Sequence, residues 1–194
     1  MIRPMLLQRI EQHFIDSADL KYQLAPVLSA PIQTSVEALL ACVTNGGKVI
    51  ACGDRASLAG ARYFAEKFVG QFEQERPELA AMSLLDRVED LGKSYARQIR
   101  ALGQSSDVLL ALTQSGTDGA IAAAIEAAHE RDMVVVAMIG GQLDALSMML
   151  RDTDILIEIG HDRSARIQEV QLLVLNCLCD GVDLLLLGNS EASS

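Results

Sequence analysis

The sequence predicts an α/β protein built on a doubly wound sheet of five parallel strands. The first observation is a series of five short apolar runs, at residues 48–52, 79–84, 108–112, 133–139 and 154–159. The second is that segments with the 3.6-residue spacing of helices separate these runs, and parallel strands need such crossovers. The third is composition, because half of the 194 residues are hydrophobic but only 4% are aromatic. An aliphatic core of this kind suits helices packed on both faces of a parallel sheet.

Two extra helices are predicted at the N-terminus, before the first strand. Apolar side chains recur at helical spacing as far as Leu20, and Pro26 is predicted to end this helix. A second helix should begin after Pro31 and stop at the Asn-Gly-Gly sequence of residues 45–47. We expect residues 1–45 to pair with the same helices of another subunit.

The remaining residues, 46–189, are predicted to form the α/β core of one domain that spans residues 1–189, with a disordered polar tail at 190–194. Five core helices are predicted. They run from the turn at 53–57 through residue 72, over 86–102, from the turn at 113–118 through residue 128, as a short helix through residue 150, and over 166–187. Ser164 is predicted to cap the last helix, and Gly181 is predicted to be its weak point.

Two polar turns follow the first and third strands, at residues 53–57 and 113–118. Ligands of doubly wound sheets bind beyond the carboxyl ends of the strands, where both turns are expected. The first N–H groups of the helix after each turn, together with the helix dipole, favour a phosphate. Ser57, Thr113 and Ser115 supply hydroxyl groups for the same ligand.

Asp118 opposes an anion in the second turn. A carboxylate about 4 Å from a phosphate is repelled by roughly 4 kcal/mol per unit charge at an effective dielectric near 20. A helix N-terminus returns at most about 2 kcal/mol. We therefore predict that Asp118 caps its own helix where a phosphate would otherwise bind. Arg55, in the first turn, either offsets this charge or is an ordinary surface residue.

The composition restricts partners and location. A net charge of -10 opposes direct binding to DNA, which needs clustered Lys and Arg. Residues 1–16 alternate charged and apolar side chains and lack the continuous apolar region of a signal peptide, and polar and charged residues interrupt the C-terminal apolar run. A cytoplasmic protein without a membrane span is therefore expected. His129 and His161 are expected on the solvated surface. The cysteines are predicted to be buried thiols of a reducing compartment: Cys42, Cys52, Cys177 and Cys179.

Several motifs, in a specific order and spacing, indicate a family. They are Gly46-Gly-Lys-Val-Ile-Ala-Cys-Gly53, Arg76-Pro77, Asp107-Val-Leu-Leu-Ala-Leu112, Ser115-Gly116 and Arg166-Ile-Gln-Glu169. Together they resemble the sugar isomerase (SIS) domain in its phosphoheptose isomerase branch, over nearly the whole chain. This resemblance implies the flavodoxin-like form of the sheet. Within the branch, residues 95–103 and 164–180 are similar to proteins that associate with the replication initiator DnaA.

The resemblance also implies a catalytic apparatus. Isomerases of this family move a carbonyl group to the neighbouring carbon through an enediol. They use a Glu and a His in the third helix and a Gln and a His in the last helix. The carboxylate and the two imidazoles hold a zinc ion. The matching positions here carry Lys67, Tyr63, Gln168 and Asn176. Only Gln168 agrees with the pattern. Glu66 would replace Lys67 only if the helix slipped by one residue, about 100° around its axis.

These departures lead to the expectation that the chain is not an enzyme and has no catalytic residue, metal ion or cofactor. The leading hypothesis is a homo-oligomer, a tetramer or a dimer, that binds a DnaA-type initiator and promotes its assembly at the chromosomal origin. It would bind neither DNA directly nor a membrane. The pocket would be vestigial, with these residues: Ser57, Thr113, Ser115, Asp118 and Gln168.

Other hypotheses stay open. The chain is alternatively a phosphoheptose isomerase acting on sedoheptulose 7-phosphate, or a sugar-phosphate sensor. Four consecutive leucines near the C-terminus either contact a partner or are buried in the core or a subunit interface: Leu184, Leu185, Leu186 and Leu187.

Overall fold

A computed structural model gives the fold and describes residues 2–85, 91–141 and 145–188. Five parallel strands form one sheet in the order β2-β1-β3-β4-β5. In chain order the elements are α1 (Ile2–Thr44), β1 (Val49–Gly53), α2 (Leu58–Val69), β2 (Ala81–Ser83), α3 (Leu91–Leu102), β3 (Val108–Thr113), α4 (Gly119–Glu130), β4 (Val134–Gly140), α5 (Ala145–Met149), β5 (Ile155–Ile159) and α6 (Ser164–Leu187). The predicted fold class is confirmed. The tail predicted at 190–194 lies outside the described residues.

The strands at the centre of the sheet are buried on both faces. Every residue of β1 and β3 is buried, because α1, α2 and α6 cover one face while α3 and α4 cover the other. In the sequence, strands of this kind are unbroken runs of apolar residues. The chain runs from β1 outward to β2 and then back to β3, so the strand order reverses between β1 and β3. Gly53 is in register with Leu112 at the carboxyl end of this pair, which is where ligands of such sheets bind.

The break predicted between two N-terminal helices is wrong. α1 is one helix of 43 residues with Pro26 and Pro31 inside it. A proline removes one N–H and crowds the carbonyl four residues earlier, and these carbonyls belong to Tyr22 and Val27. Both residues are exposed, so water reaches this side of the helix and can bind the released carbonyls. Packing of the opposite face on α6 and the sheet keeps the helix continuous.

Gly181 marks a close approach of α1 and α6, and it is not a weak point of α6. The helix continues through it, and a Cβ at this position would lie only 2.7 Å from Cγ2 of Val36. The cap predicted for Ser164 is also wrong. Arg163 occupies the cap position, and the Ser164 hydroxyl donates instead to Oε1 of Gln114, in the turn after β3.

Two predictions about polar side chains also need correction. Cys177 is exposed, whereas the other three cysteines are buried as predicted. His129 is not on the solvated surface, because its side chain is only 10% exposed and its Nε2 lies 2.7 Å from Oδ2 of Asp154, just before β5. His161 is partly exposed in the turn before α6, where its Nδ1 accepts the N–H of Arg163 at 2.9 Å.

A buried ion pair fixes the end of α2 to α6. Nε of Arg76 lies 2.5 Å from Oδ1 of Asp183, and their side chains are 0% and 4% exposed. The same guanidinium donates to the carbonyls of Lys67 and Gly70 at 3.0 and 3.2 Å, and so caps the C-terminus of α2. Arg76 therefore sets the distance between two helices that form the walls of a cavity.

Residues Met5–Thr44 of α1 and the whole of α6 are long and apolar enough to cross a membrane, judged by length and composition alone. Core helices of soluble proteins pass the same test. Leu39 of α1 and Leu178 of α6 are fully buried against the sheet, which is the arrangement of core helices.

Candidate functional site

The carboxylate of Asp54 joins the two predicted ligand-binding turns. Its Oδ1 accepts the N–H groups of Ala56 and Ser57 at 3.1 and 2.8 Å. Its Oδ2 accepts the Thr113 hydroxyl at 2.8 Å and the Gln114 N–H at 2.7 Å. Asp54 is only 7% exposed. This internal carboxylate therefore already occupies donors, in both turns, of the kind that bind an anion.

Two glutamines tie α6 to the same turns. Oε1 of Gln171 accepts the Ser57 hydroxyl at 3.0 Å, and its Nε2 donates to the Thr113 carbonyl at 3.0 Å. Nε2 of Gln168 donates to the Ala56 carbonyl at 2.9 Å. The structure thus brings together three residues of the predicted pocket, Ser57, Thr113 and Gln168.

The other two residues of the predicted pocket lie in the turn before α4. The Ser115 N–H donates to Thr113 Oγ1 at 3.0 Å, and the Ser115 hydroxyl is 2.9 Å from that of Thr117. Oδ1 of Asp118 accepts the N–H groups of the second and third residues of α4, both at 2.9 Å. The capping role predicted for Asp118 is confirmed.

A cavity of about 390 Å³ lies between α2 and α6, beside the first turn. Sites for small molecules enclose about 300–1,000 Å³, so the cavity has room for a small polar ligand. Ser57 and Gln168 line it, whereas Thr113, Ser115 and Asp118 are not in its lining. Its polar groups are hydroxyls and amides, and its full lining is Ala56, Ser57, Ala59, Gly60, Tyr63, Gln168, Gln171 and Leu172.

Tyr63 forms the far wall of this cavity. Its hydroxyl donates to Oδ1 of Asn176 on α6 at 2.8 Å, and Nζ of Lys67 lies 5.8 Å from the centre of its ring. Burial raises the pKa of the Tyr63 phenol above its ordinary value of 10.0, and the charges of nearby acidic groups such as Glu66 add to the effect. The phenol is therefore protonated at neutral pH and acts as a hydrogen-bond donor.

The carboxyl end of β1 is acidic. Burial is the main cause of the raised pKa of the Cys52 thiol, and the negative charges of Asp118 and Asp54 raise it further. Both carboxylates are therefore near the end of this strand. Arg55, in the same turn, is exposed.

The residues at the positions implied for zinc do not fit this ion. The Tyr63 hydroxyl and the Asn176 oxygen are bonded to each other, and the ammonium of Lys67 has no lone pair to offer a metal. Zinc prefers thiolate, imidazole and carboxylate ligands. Across the described ranges, no three or more His, Cys, Asp or Glu side chains come together as a metal site.

The sequence matches the SIS domain over residues 12–140. The chain belongs to the SIS-domain family. A phosphoheptose isomerase from Methylibium petroleiphilum is 50% identical to it over 196 residues, covering 96% of this chain and 98% of the relative. A phosphoheptose isomerase from Dechloromonas aromatica is 44% identical over 192 residues, with coverage of 94% and 98%. The solved structure of the phosphoheptose isomerase from Neisseria gonorrhoeae matches at a TM-score of 0.84 and 36% identity, covering 92% of this chain and 98% of that one.

These comparisons contradict the expectation that this SIS domain is not an enzyme. The relatives carry the name of an enzyme, and the similarity extends over nearly the full chain, including α2 and α6. The expectation was drawn from Tyr63, Lys67 and Asn176 alone. Several types of side chain can transfer protons or polarise a carbonyl, so three substitutions do not exclude an enzyme. The relatives' names concern isomerisation and say nothing of initiator binding.

Sequence reasoning missed two residues of this site. Asp54 follows a buried strand directly, and a carboxyl side chain in such a turn is a signal for bonds to nearby N–H groups. Gln171 lies three residues after Gln168, and this spacing places both amides on the same face of α6. Both signals are present in the sequence, but neither specifies the partner that the fold supplies.

Proposed function

We propose that this SIS domain is a phosphoheptose isomerase that interconverts sedoheptulose 7-phosphate and the corresponding aldoheptose 7-phosphate. Two observations support the proposal. The cavity between α2 and α6 lies at the carboxyl ends of β1 and β3, where ligands of such sheets bind. The chain is also 50% identical to a protein named phosphoheptose isomerase. All four cysteines are unpaired and three of them are buried, which supports a cytoplasmic location.

The neutral lining suits the hydroxyl groups of a sugar. Ser57, Gln168 and Gln171 present donors and acceptors that are held in place by the bonds between α6 and the two turns. A rigid lining loses little conformational entropy when a ligand binds. The phosphate end of the substrate would lie toward the turns, where Ser57 and Ser115 provide hydroxyl groups.

Isomerisation requires two coupled proton movements. In the first movement, a base removes a proton from C1 of the ketose to form an enediol, and a proton is then delivered to C2. In the second, O2 gains a proton and the hydroxyl group at O1 loses one. The Tyr63 phenol, which is protonated at neutral pH, uses its one proton in the bond to Asn176, so its oxygen can accept a hydrogen bond from a substrate hydroxyl. Glu66 follows Tyr63 by three residues on α2, so the two side chains are neighbours on the helix surface. The Glu66 carboxylate is the candidate proton acceptor, because the ammonium of Lys67 has no lone pair to take a proton.

Turnover of sedoheptulose 7-phosphate, followed by NMR detection of the aldose, tests the proposal. Ser57→Ala should lower kcat/KM about fivefold, since one hydrogen bond contributes about 1 kcal/mol and each 1.4 kcal/mol is a factor of ten. Ser29→Ala is the matched control, because Ser29 is exposed and bonds only to the Ala25 carbonyl of its own helix. No turnover by folded wild-type protein would contradict the proposal.

Two further variants test this assignment. Glu66→Gln removes the carboxylate while keeping the size of the side chain, and it should show a lower kcat with little change in KM. Lys67→Met removes the positive charge while keeping the apolar stem, and it is the control. Activity of Glu66→Gln equal to that of the wild type would exclude Glu66 as the base.

We also propose, as a second function, binding of a DnaA-type initiator at the end of α6, together with self-association into a tetramer or dimer. The supporting observation is that the four leucines at this end are 38–52% exposed in the isolated chain, which fits a contact surface better than burial in its own core. The net charge of -10 favours a basic partner. Several such sites on one oligomer would raise the local concentration of the initiator.

Capture of purified initiator by the immobilised protein, with nuclease added to remove DNA, tests this second function. Leu184→Ser combined with Leu187→Ser should abolish capture. Leu102→Ser is the control, because Leu102 is similarly exposed, at 42%, but lies at the end of α3 on the other face of the sheet. Light scattering of each variant reports whether the oligomer has changed. Equal capture by all variants would exclude this surface.

A further inference from the structure

One hydrogen bond links α2 and α6 at the place where the family resemblance positions a metal ion. The Tyr63 hydroxyl donates to Oδ1 of Asn176 at 2.8 Å. These residues occupy the two positions at which the resemblance implies imidazole ligands. Because the two side chains reach each other directly, the space for an ion between them is closed in this arrangement.

The charges around this bond also oppose a divalent cation. Lys67 stands at the position of the implied carboxylate ligand, and its Nζ is 5.8 Å from the centre of the Tyr63 ring. A zinc ion bound beside the ring would lie close to a positive charge that it cannot coordinate, and like charges at such distances repel. Gln168 is the remaining member of the implied set, and its Nε2 is bonded to the Ala56 carbonyl.

We propose that this pocket works without zinc, and that the Tyr63–Asn176 hydrogen bond takes the place of a metal ion as the link between α2 and α6. The inference concerns the same cavity as the proposed isomerase. Its test measures zinc binding and protein stability, so it can succeed or fail whatever the outcome of the turnover assay.

The experiment compares zinc binding by the wild-type protein and by a variant in which the implied ligands are restored, Tyr63→His with Lys67→Glu and Asn176→His. Calorimetric titration with zinc should show no site in the wild type and one site per chain in the triple variant. Zinc should raise the Tm of the triple variant only, because an ion that binds the folded state alone stabilises it. A double variant that keeps Lys67 should bind zinc at least about tenfold more weakly than the triple variant, which is about 1.4 kcal/mol.

Two results would overturn the inference. The first is one zinc ion per wild-type chain, lost in Asn176→Ala. The second is a triple variant that is folded but binds no zinc, because the three restored positions would then not converge as the inference requires.

The hydrogen bond itself has a separate readout. Tyr63→Phe keeps the ring and removes only the hydroxyl, so its Tm should fall by about 2–4 °C, the shift that 1 kcal/mol produces in a domain of this size. The fall should be equal with and without a chelator. If the Tm of Tyr63→Phe is below that of the wild type only when zinc is present, a metal ion links the two helices and the inference is wrong.

Discussion

Gly181→Ala tests whether the approach of α1 and α6 requires glycine. An alanine in a helix interior is favoured over glycine by about 1 kcal/mol. The new Cβ, however, would lie 2.7 Å from Cγ2 and 3.1 Å from Cγ1 of Val36, well inside the usual carbon contact of about 3.5–4.0 Å. Val36 is 6% exposed and, as a β-branched residue in a helix, has essentially one rotamer. It cannot move aside without shifting α1.

The magnitude follows from these opposing effects. Overpacking of a core costs about 1–3 kcal/mol, so the net loss of unfolding free energy should be about 1 kcal/mol after the gain in helix propensity. That corresponds to a fall in Tm of about 2–4 °C. Urea unfolding monitored by circular dichroism measures the loss, with the m-value as a check that the unfolding transition is unchanged.

A double-mutant cycle decides the cause. Val36→Ala alone removes two buried carbons and should cost about 2 kcal/mol. Combined with Gly181→Ala, it leaves room for the new methyl group, so the double variant should be less destabilised than the sum of the single variants by at least about 1 kcal/mol. Additive effects, or a Gly181→Ala protein that is more stable than the wild type, would refute the steric argument.

Three further predictions concern the site and its walls. Asp118→Ser removes the negative charge but keeps a side chain that can cap the helix. The affinity for sedoheptulose 7-phosphate, measured by calorimetry, should therefore rise about tenfold. An unchanged affinity would show that this carboxylate does not repel the ligand. Arg76→Met leaves the carboxylate of Asp183 buried without its partner and should lower the unfolding free energy by about 3–5 kcal/mol in urea, whereas a loss below about 1 kcal/mol would contradict the importance of the pair. Burial raises the pKa of Tyr63, so its contribution to stability is fully present below pH 10 and is lost as the pH rises through the folded-state pKa. The absorbance titration at 295 nm of the wild type minus that of Tyr63→Phe should therefore have its midpoint above pH 10. A midpoint at or below pH 10 would contradict the raised pKa of this partly buried phenol.

The strands were predictable because their burial leaves a direct trace in the sequence. In β1 and β3 every residue is buried, so the residues there are apolar or small, apart from Thr113 at the end of β3, whose hydroxyl is bonded to Asp54. The same argument does not apply to α1, where Pro26 carries a strong local signal for a helix end. Tertiary packing on α6 overrides that signal, and packing partners cannot be read from one segment.

The site was predicted in part for a related reason. Ser57 and Gln168 were expected in one pocket, and the fold brings both to the cavity. The capping of α4 by Asp118 was predictable because it is local, between residues two and three apart. The contacts of Asp54 with Thr113 and of Tyr63 with Asn176 join residues 59 and 113 positions apart. Such pairs depend on the register of the strands and the crossing of the helices, which the sequence pattern does not specify.

Exchange of hydrogen with solvent tests the central claim most directly, because it reports proton abstraction itself and does not depend on the position of the equilibrium. Sedoheptulose 7-phosphate is incubated in D₂O with the wild-type protein, with Ser57→Ala, or with the Ser29→Ala control, and deuterium at C1 is followed by NMR. An isomerase that acts through an enediol at the α2–α6 cavity should incorporate deuterium into the substrate at equal rates with the wild type and the control, and about fivefold more slowly with Ser57→Ala. No incorporation by the wild type above a protein-free sample, or equal incorporation by all three proteins, would contradict the account.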